Sequence, residues 1–177
     1  MARRRTERSG GGDRPRERLP SAAWLLAQVG AHAAAKFAER LSALGLSPPH
    51  AGILWALSTS GGLSQQALAE HLDVLPSRLV ALVDELEERG LVERRDNPDD
   101  RRTYALHLTS PGRTMLEAIG RIARTHQESI GEALDAGERE QLAALLLRIA
   151  DQQGLRRGVH PGFRSLGRGR RRKERGR

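Results

Sequence analysis

A connection of three residues joins two predicted helices in the middle of the chain, and it restricts the fold more than any other feature. The first helix follows Ser64, whose hydroxyl can cap the free amides of a first turn, and carries apolar residues at helical spacing through Leu72. The second begins at Pro76, whose φ suits a first helical position, and ends at Gly90, which tolerates a left-handed C-terminal cap. Because only residues 73–75 lie between them, the helices must cross steeply. The segment predicts a helix-turn-helix.

The periodicity changes after Gly90 from helical to strand-like. Residues 91–95 and 103–108 are short runs with strand character, and the turn-forming residues 96–100 lie between them. The second run alternates Tyr104, Leu106 and Leu108 with their neighbours. A hairpin in this place is the wing of a winged helix-turn-helix, which puts one helix in the major groove of DNA and lays the wing on the flanking backbone or minor groove. The expected fold class is mainly α with a small β wing.

Amphipathic helices flank this unit on both sides. Residues 20–44 form an apolar stripe at helical spacing, a further helix opens after Thr109, and residues 135–138 have the acid-x-x-Glu form of a capping box before a last helix. Together these helices offer more apolar surface than the small unit can cover. We therefore expect N- and C-terminal dimerisation helices and a homodimer.

This reading divides the chain into one domain and two tails. The domain spans residues 20–154, with a DNA-binding lobe at about 48–108 and dimerisation helices at about 20–44 and 110–153. The tails, residues 1–19 and 155–177, are rich in arginine and have no apolar periodicity, which is typical of disordered segments.

The charge of the chain is concentrated in those tails. The net charge is +8, to which residues 1–19 contribute +4 and residues 155–177 contribute +9, so that residues 20–154 carry −5. A basic tail attracts any polyanion without reading sequence, and it can equally be a solubilising segment. Specific recognition must therefore come from single arginines placed within an acidic domain.

Several classes of site are absent from the sequence. There is no cysteine, which excludes disulfides and thiolate metal sites, and the six histidines have no paired spacing, so we expect no metal and no other cofactor. No nucleophile motif or phosphate loop indicates an enzyme. No apolar run predicts a secretory signal or a membrane span, so the expected location is the cytoplasm, in association with the nucleoid.

The pattern resembles the MarR family of bacterial transcriptional regulators over roughly residues 20–153. The residues that carry the likeness are Leu82 to Val92, then Asn97-Pro98-Asp99-Asp100-Arg101-Arg102, and Leu106 to Gly112. The resemblance implies a homodimer that binds a pseudo-palindromic operator in double-stranded DNA, usually as a repressor. It also implies release from DNA when a small molecule alters the spacing of the two recognition helices.

The resemblance also implies site residues. Pro76, Ser77 and Arg78 occupy the exposed start of the recognition helix, and an arginine there can grip guanine O6 and N7 with two donors. The basic positions of the wing are Arg95, Arg101 and Arg102, and Asp100 matches an acid that braces a wing arginine. We expect one of Arg101 and Arg102 to be structural and the other to reach DNA. Arg94 and Arg95 should point to opposite faces of a strand, so at most one faces the duplex.

An effector pocket is the remaining implication. Effectors of the family, often phenolic or aromatic acids, bind between the dimerisation helices and the DNA-binding lobe, where Trp24, His32, His50 and Trp55 could lie. For both tryptophans burial in the core is the favoured reading. The acids Asp84, Glu85, Glu87 and Glu88 are interpreted as a solvated face. The alternative function is a nucleoid-type architectural protein that binds DNA through its basic tails.

Overall fold

The computed structural model describes residues 20–97 and 103–155, within which the chain forms six helices and one three-stranded sheet. In chain order the elements are α1 (Ala22–Ser42), α2 (Pro48–Thr59), β1 (Leu63–Ser64), α3 (Gln65–Leu72), α4 (Pro76–Glu88), β2 (Val92–Asp96), β3 (Tyr104–Leu108), α5 (Ser110–Ile130) and α6 (Ala136–Gln152). This order confirms the predicted winged helix-turn-helix between longer helices. Apart from Leu155, the two predicted tails lie outside the described residues.

The central turn forms as its residues predict. The Ser64 hydroxyl accepts a hydrogen bond from the amide of Ala67 at 3.2 Å and so caps α3. Asp73 then adopts the left-handed conformation, with φ of 56°, which an Asp side chain tolerates better than most. That residue ends α3 and turns the chain into Pro76, the first residue of α4.

The core lies where α2, α3 and α4 meet the sheet. Fully buried side chains come from each of these elements and pack into one cluster, which the last turn of α1 joins through Leu41. They are Leu41, Ile53, Leu54, Leu68, Leu72, Leu79, Val83, Leu86, Val92 and Leu106. The predicted lobe is therefore a continuous hydrophobic unit that holds α4 by one face.

The sheet has one more strand than the predicted hairpin. β1 pairs with β3, in the order β1-β3-β2, with Leu63 opposite Leu106 and Ser64 opposite Ala105. Two residues carry no readable alternation, so only the tertiary pairing reveals this strand. The pairing also corrects the alternation read in β3. Tyr104 is 60% exposed because it lies opposite Asp96 at the outer end of the hairpin, whereas Ala105 is buried beside β1.

A tight joint connects the lobe to α5. The Thr109 side chain caps α5 by accepting from the amide of Gly112 at 3.0 Å, and its hydroxyl donates to the carbonyl of Gly90 at 2.6 Å. A Cβ on Gly112 would lie 2.0 Å from the backbone oxygen of Leu91. Only glycine allows this approach, which explains the structural role of the glycine in the sequence Leu-Thr-Ser-Pro-Gly.

The two terminal helices leave most of their apolar residues on the surface. α1 begins at Ala22 rather than at Pro20, with Ser21 as its cap, and α6 begins with the predicted capping box of Asp135 and Glu138. Of α1 only Leu41 is buried, and of α6 no residue is buried within the described chain. The exposed large side chains on these two helices are Trp24, Leu25, Leu26, Val29, Leu142, Leu145, Leu146, Leu147 and Ile149.

Burial in the core is the wrong reading for both tryptophans. Trp24 is 54% exposed near the start of α1, and Trp55 is 47% exposed on α2. Nearly every other position of the middle of α2 is buried, so the sequence offers no polar stripe from which the outward direction of Trp55 could be read.

Candidate nucleic-acid interface

The start of α4 is an exposed, positively polarised helix end. Leu79, Val83 and Leu86 bury one face of α4, while Pro76, Ser77 and Arg78 are exposed. Leu75 occupies the N-cap position and has no side-chain oxygen with which to satisfy the first amides. The amide of Ser77 and the positive end of the helix dipole therefore face solvent, where a phosphate oxygen can bind them.

Arg78 presents an unneutralised guanidinium beside this helix end. Within residues 20–97 and 103–155, no carboxylate forms an ion pair with it. Its side chain is exposed in the first turn of α4, on an element held rigidly by its buried face. An arginine in this position is free to donate two parallel hydrogen bonds to a guanine edge or to a phosphate.

The wing places Arg94 and Arg95 on opposite faces, as the strand period predicts. In the β2–β3 register, Arg94 lies opposite Leu106 and Arg95 opposite Ala105. The Arg95 side chain is exposed, and its Nε donates to Oε1 of Glu93 at 3.0 Å. An exposed pair of this kind contributes little to stability, so Arg95 can exchange its carboxylate partner for a phosphate at low cost.

Arg94 is instead a structural brace between the wing and α4. Its Nη2 lies 2.5 Å from Oδ1 of Asp84, its Nη1 donates to Glu87, and Nη2 is also within 3.5 Å of the Gln65 side-chain oxygen. Burial opposes ionisation of Arg94, but the two carboxylates outweigh it and raise the pKa of its guanidinium. The charged network fixes β2 to the helix that carries Arg78.

These contacts correct the interpretation of the acidic run in α4 as a solvated face for Asp84 and Glu87, whereas Glu85 and Glu88 are exposed. Asp84 and Glu87 pair with Arg94, and Glu85 lies 3.0 Å from His50 of α2. The sequence contains a usable signal for the brace. Asp84 and Glu87 have the i, i+3 spacing that puts two carboxylates on one helix face, and a strand arginine follows shortly afterwards. The pairing becomes visible only when β2 folds back on α4.

The tip of the wing lies outside the described residues. Asp100, Arg101 and Arg102 belong to the segment 98–102, so the bracing by Asp100 and the division of labour between the two arginines stay predictions. The described hairpin does lead from Asp96 to Thr103, where the Asn97 amide donates to the Thr103 hydroxyl at 3.2 Å.

The histidines predicted for an effector pocket have different surroundings. His50 is buried near the start of α2, where Nδ1 accepts from the backbone amide of Ser47 at 3.2 Å, and burial is the main cause that lowers its pKa despite Glu85. His32 is exposed and lines a shallow depression between α1 and the end of α5, together with Lys36 and Arg40. The effector pocket stays a prediction.

Two further observations limit the chemistry of the described chain. Among residues 20–97 and 103–155, no three His, Asp or Glu side chains are grouped so that they could hold a metal ion. No helix within these described residues is long and apolar enough to cross a membrane.

Comparison with known proteins matches the same part of the chain. The model of the MarR family matches residues 44–103, from just after the end of α1 to the residue before β3. A putative transcriptional regulatory protein for the hcr operon of Thauera aromatica is 39% identical over 108 residues, which cover 61% of this chain and 65% of that protein. This chain thus spans slightly less than two thirds of that relative.

Two solved structures share the fold over a longer stretch. The transcriptional repressor CouR, solved bound to a 23-mer DNA duplex, superposes with a TM-score of 0.66 and 30% identity over 73% of this chain and 92% of that one. The Mycobacterium tuberculosis MarR family protein Rv2887, solved in complex with DNA, gives a TM-score of 0.64 and 28% identity over 73% of this chain and 98% of that one. By sequence and by fold, the chain belongs to the MarR family.

Proposed function

We propose that this protein is a sequence-specific DNA-binding transcriptional regulator that acts as a homodimer on a pseudo-palindromic operator. The observation that carries the proposal is the start of α4. Ser77 and Arg78 are exposed there on a helix whose opposite face is fully buried, and no carboxylate of the described residues pairs with Arg78. The similarity of this chain to CouR and Rv2887, both solved with DNA, supports the proposal that the fold binds DNA here as well.

The wing supplies a second contact in this proposal. Arg94 ties β2 to α4 through Asp84 and Glu87, so Arg95 on the other face keeps a fixed place relative to Arg78. A helix in the major groove and an arginine beside it on the backbone or minor groove can then bind as one rigid unit. Arg101 and Arg102 are proposed to extend this contact.

The exposed apolar faces of α1 and α6 support the homodimer. Leu142, Leu145, Leu146 and Ile149 recur at helical spacing along α6 and are all exposed, and Trp24 to Val29 form a similar surface on α1. A soluble monomer rarely exposes contiguous apolar surface of this kind. A second copy would cover it and set two recognition helices about 34 Å apart, which is one turn of DNA.

Repression with release by a small aromatic or phenolic molecule completes the proposal. A ligand bound near the dimerisation helices could change the distance between the two copies of α4, and a small change suffices to lose the register with DNA. The proposed pocket residues are Trp24, His32, His50 and Trp55. Since regulation by binding requires no bond-breaking step, no catalytic activity is proposed.

A footprint on the DNA upstream of the protein's own gene tests the proposal. The full chain, with excess unrelated competitor DNA at physiological salt, is expected to protect one discrete site with two-fold symmetry. Arg78→Ala should need a higher protein concentration for that protection, whereas Arg124→Ala, which alters an exposed arginine on α5, should leave it unchanged. Uniform coverage that resists neither salt nor competitor would instead identify the architectural alternative, in which the tails bind any sequence.

Candidate small molecules are then screened for release of the protected site. An aromatic acid that releases the unmodified chain but not a Trp55→Ala variant would support the pocket. Release that is unchanged by substitutions at Trp24, His32, His50 and Trp55 would remove those residues from the proposal.

A further inference from the structure

Two side chains one turn apart hold the corner between α1 and α2, Glu85 of α4 and Arg89, which caps the C-terminal end of α4. Glu85 and Arg89 have the i, i+4 spacing, so they lie on the same side of the helix. The corner comprises residues 43–50, from the end of the N-terminal arm to the first turn of α2. These contacts join the recognition helix directly to the helix that is proposed to make the dimer.

Arg89 binds the end of α1 with both terminal nitrogens. Nη1 donates to the carbonyl of Gly45 at 2.7 Å, and Nη2 donates to the carbonyl of Leu44 at 2.9 Å. Gly45, with φ of 66°, closes the helix in the left-handed conformation, which leaves these carbonyls without a helical partner. The planar fork of an arginine satisfies both at once, at the negative end of the α1 dipole.

Glu85 faces the start of α2 through His50. Its Oε2 lies 3.0 Å from Nε2 of His50, although the ring N–H is not aligned with the carboxylate. Because Nδ1 of His50 accepts from the Ser47 amide, a neutral ring carries its proton on Nε2, the nitrogen nearer to Glu85. The carboxylate therefore lies near the positive end of α2. Each of these two charges is opposite in sign to the partial charge of the helix end that it faces. The contact of Arg89 with the end of α1 is better aligned than that of Glu85 with His50.

The position of these contacts along α4 gives them leverage over DNA binding. Arg78 lies eleven residues before Arg89, a distance of about 16 Å along a helix. A tilt of α4 by about 10° around the corner would move its DNA-facing end by about 3 Å, which is close to the rise of one base pair. A firm hold at Arg89 therefore fixes where Arg78 lies relative to α1.

We propose that Glu85 and Arg89 form a clamp that sets the orientation of α4 on the end of α1, and thereby makes the protein discriminate between operators by the spacing of their half-sites. They are positioning residues, because they act on DNA through Arg78 and the start of α4. The inference rests on the proposed function, since spacing has meaning only for a dimer that reads two half-sites.

The test compares two DNA duplexes that differ in one base pair. One carries the operator found by footprinting, and the other carries the same half-sites with a single base pair inserted between them. Binding of the full chain to each is measured by fluorescence anisotropy, and the readout is the ratio of the two dissociation constants. The variants are Arg89→Met, which keeps an unbranched, flexible side chain but removes its donors, Glu85→Gln, and Glu88→Gln as a matched control on an exposed acid of the same helix.

The clamp predicts a change in the ratio rather than in affinity alone. For the unmodified chain and Glu88→Gln, the inserted base pair is expected to weaken binding at least tenfold, whereas for Arg89→Met the ratio should fall to about threefold or less. Glu85→Gln should change the ratio in the same direction by a smaller factor. If Arg89→Met does not fold, as judged by circular dichroism, the ratio of dissociation constants measured for Glu85→Gln tests the clamp instead.

Three outcomes would overturn the clamp. One is an unmodified chain that binds both duplexes equally, because no spacing discrimination then needs explaining. Another is a pair of folded variants that lose affinity for both duplexes by the same factor, which marks a merely structural role. The last is an unmodified chain with no discrete operator at all, and in that case the proposed function fails first and the clamp falls with it.

Discussion

The lobe of α2, α3, α4 and the sheet differs from the terminal helices α1 and α6 in where its apolar residues find partners. In the lobe, leucines such as Leu68, Leu86 and Leu106 are fully buried within one chain. In α6, Leu142, Leu145 and Ile149 have the same helical spacing but are all exposed. Identical amphipathic patterns thus serve two purposes, a core within one chain and a surface that a second copy could cover.

The charged residues follow the same division. In the lobe, Arg94 is fixed by Asp84 and Glu87, and Arg89 is fixed by backbone carbonyls of the α1–α2 corner. Arg78 and Arg95 remain exposed at the start of α4 and on the wing. The lobe therefore uses some arginines as structure and presents others to solvent. Arg94 and Arg89 contact other elements of the chain, whereas within the described residues Arg95 pairs only with Glu93 of its own strand.

Truncating one leucine in the lobe and one in α6 should show the largest difference between the two regions. Leu106→Ala removes a fully buried side chain from the lobe and is expected to lower the free energy of unfolding by about 3 kcal/mol, at low and at high protein concentration alike. Leu145→Ala, at a side chain 46% exposed in this chain, should leave the lobe intact and lower the stability of the dimer. Urea unfolding at two protein concentrations, with sedimentation for the oligomeric state, measures both effects. Equal losses without dissociation would contradict the division.

A pair of glycines on α5 tests the joint between lobe and arm. Gly112→Ala would place a Cβ 2.0 Å from the Leu91 carbonyl and should destabilise the protein by about 2 kcal/mol. Gly120→Ala meets only the flexible end of Arg124, at 3.8 Å, and should be neutral or stabilise the helix by up to about 1 kcal/mol. Thermal unfolding gives both values, and a shift of the same sign for both would show that the joint is looser than described.

The sequence predicts those parts of the lobe whose signals are local. Ser64, Pro76 and Thr109 each act on their own first turn, so the helix starts that they predict are found in the structure. β1 could not be predicted in this way, because a two-residue strand is defined by its partners Ala105 and Leu106, which lie more than forty residues later in the chain. The outward direction of Trp55 could not be predicted either, because α2 is apolar on almost all sides.

The candidate site divides in the same way. Exposure of Ser77 and Arg78 follows from their place in the first turn of a helix whose buried face is periodic. The roles of Asp84 and Glu87 could not be assigned as readily, because their partner Arg94 reaches them only through the fold-back of β2. Long-range charge pairs depend on geometry that no local pattern contains.

Arg94 and Arg95 offer a matched pair of neighbouring charges. Arg94→Gln leaves Asp84 and Glu87 without their shared cation and should lower the free energy of unfolding by about 1–2 kcal/mol. Arg95→Gln should leave stability within about 0.5 kcal/mol but weaken DNA binding and reduce its salt dependence. Chemical unfolding and a salt titration of binding separate the two. If both substitutions acted alike on stability, the assignment of faces in β2 would be wrong.

The smallest predicted effect is a pH dependence that arises from two shielded histidines. Burial is the main cause that lowers the pKa of both His50 and His126 below the value of 6.5 that such groups have when unfolded. The unfolded chain therefore binds more protons below pH 6.5, so the free energy of unfolding should fall as the pH decreases from about 7 to about 5. Asn at either position should flatten this dependence, whereas His71→Asn, at an exposed position of α3, should preserve it. Stability that rose with acidification would contradict the assignment.

The central claim is that the start of α4 reads DNA sequence through Arg78 in each half of a symmetric dimer. Selection of bound duplexes from a random pool, carried out with the unmodified chain and with Arg78→Ala, tests it most directly. The unmodified chain should select an inverted repeat with half-site centres about 34 Å apart, and Arg78→Ala should bind about 1–3 kcal/mol more weakly and lose its preference at one position in each half-site. Selection of the same motif with the same affinity by Arg78→Ala, or the absence of any inverted repeat, would contradict it.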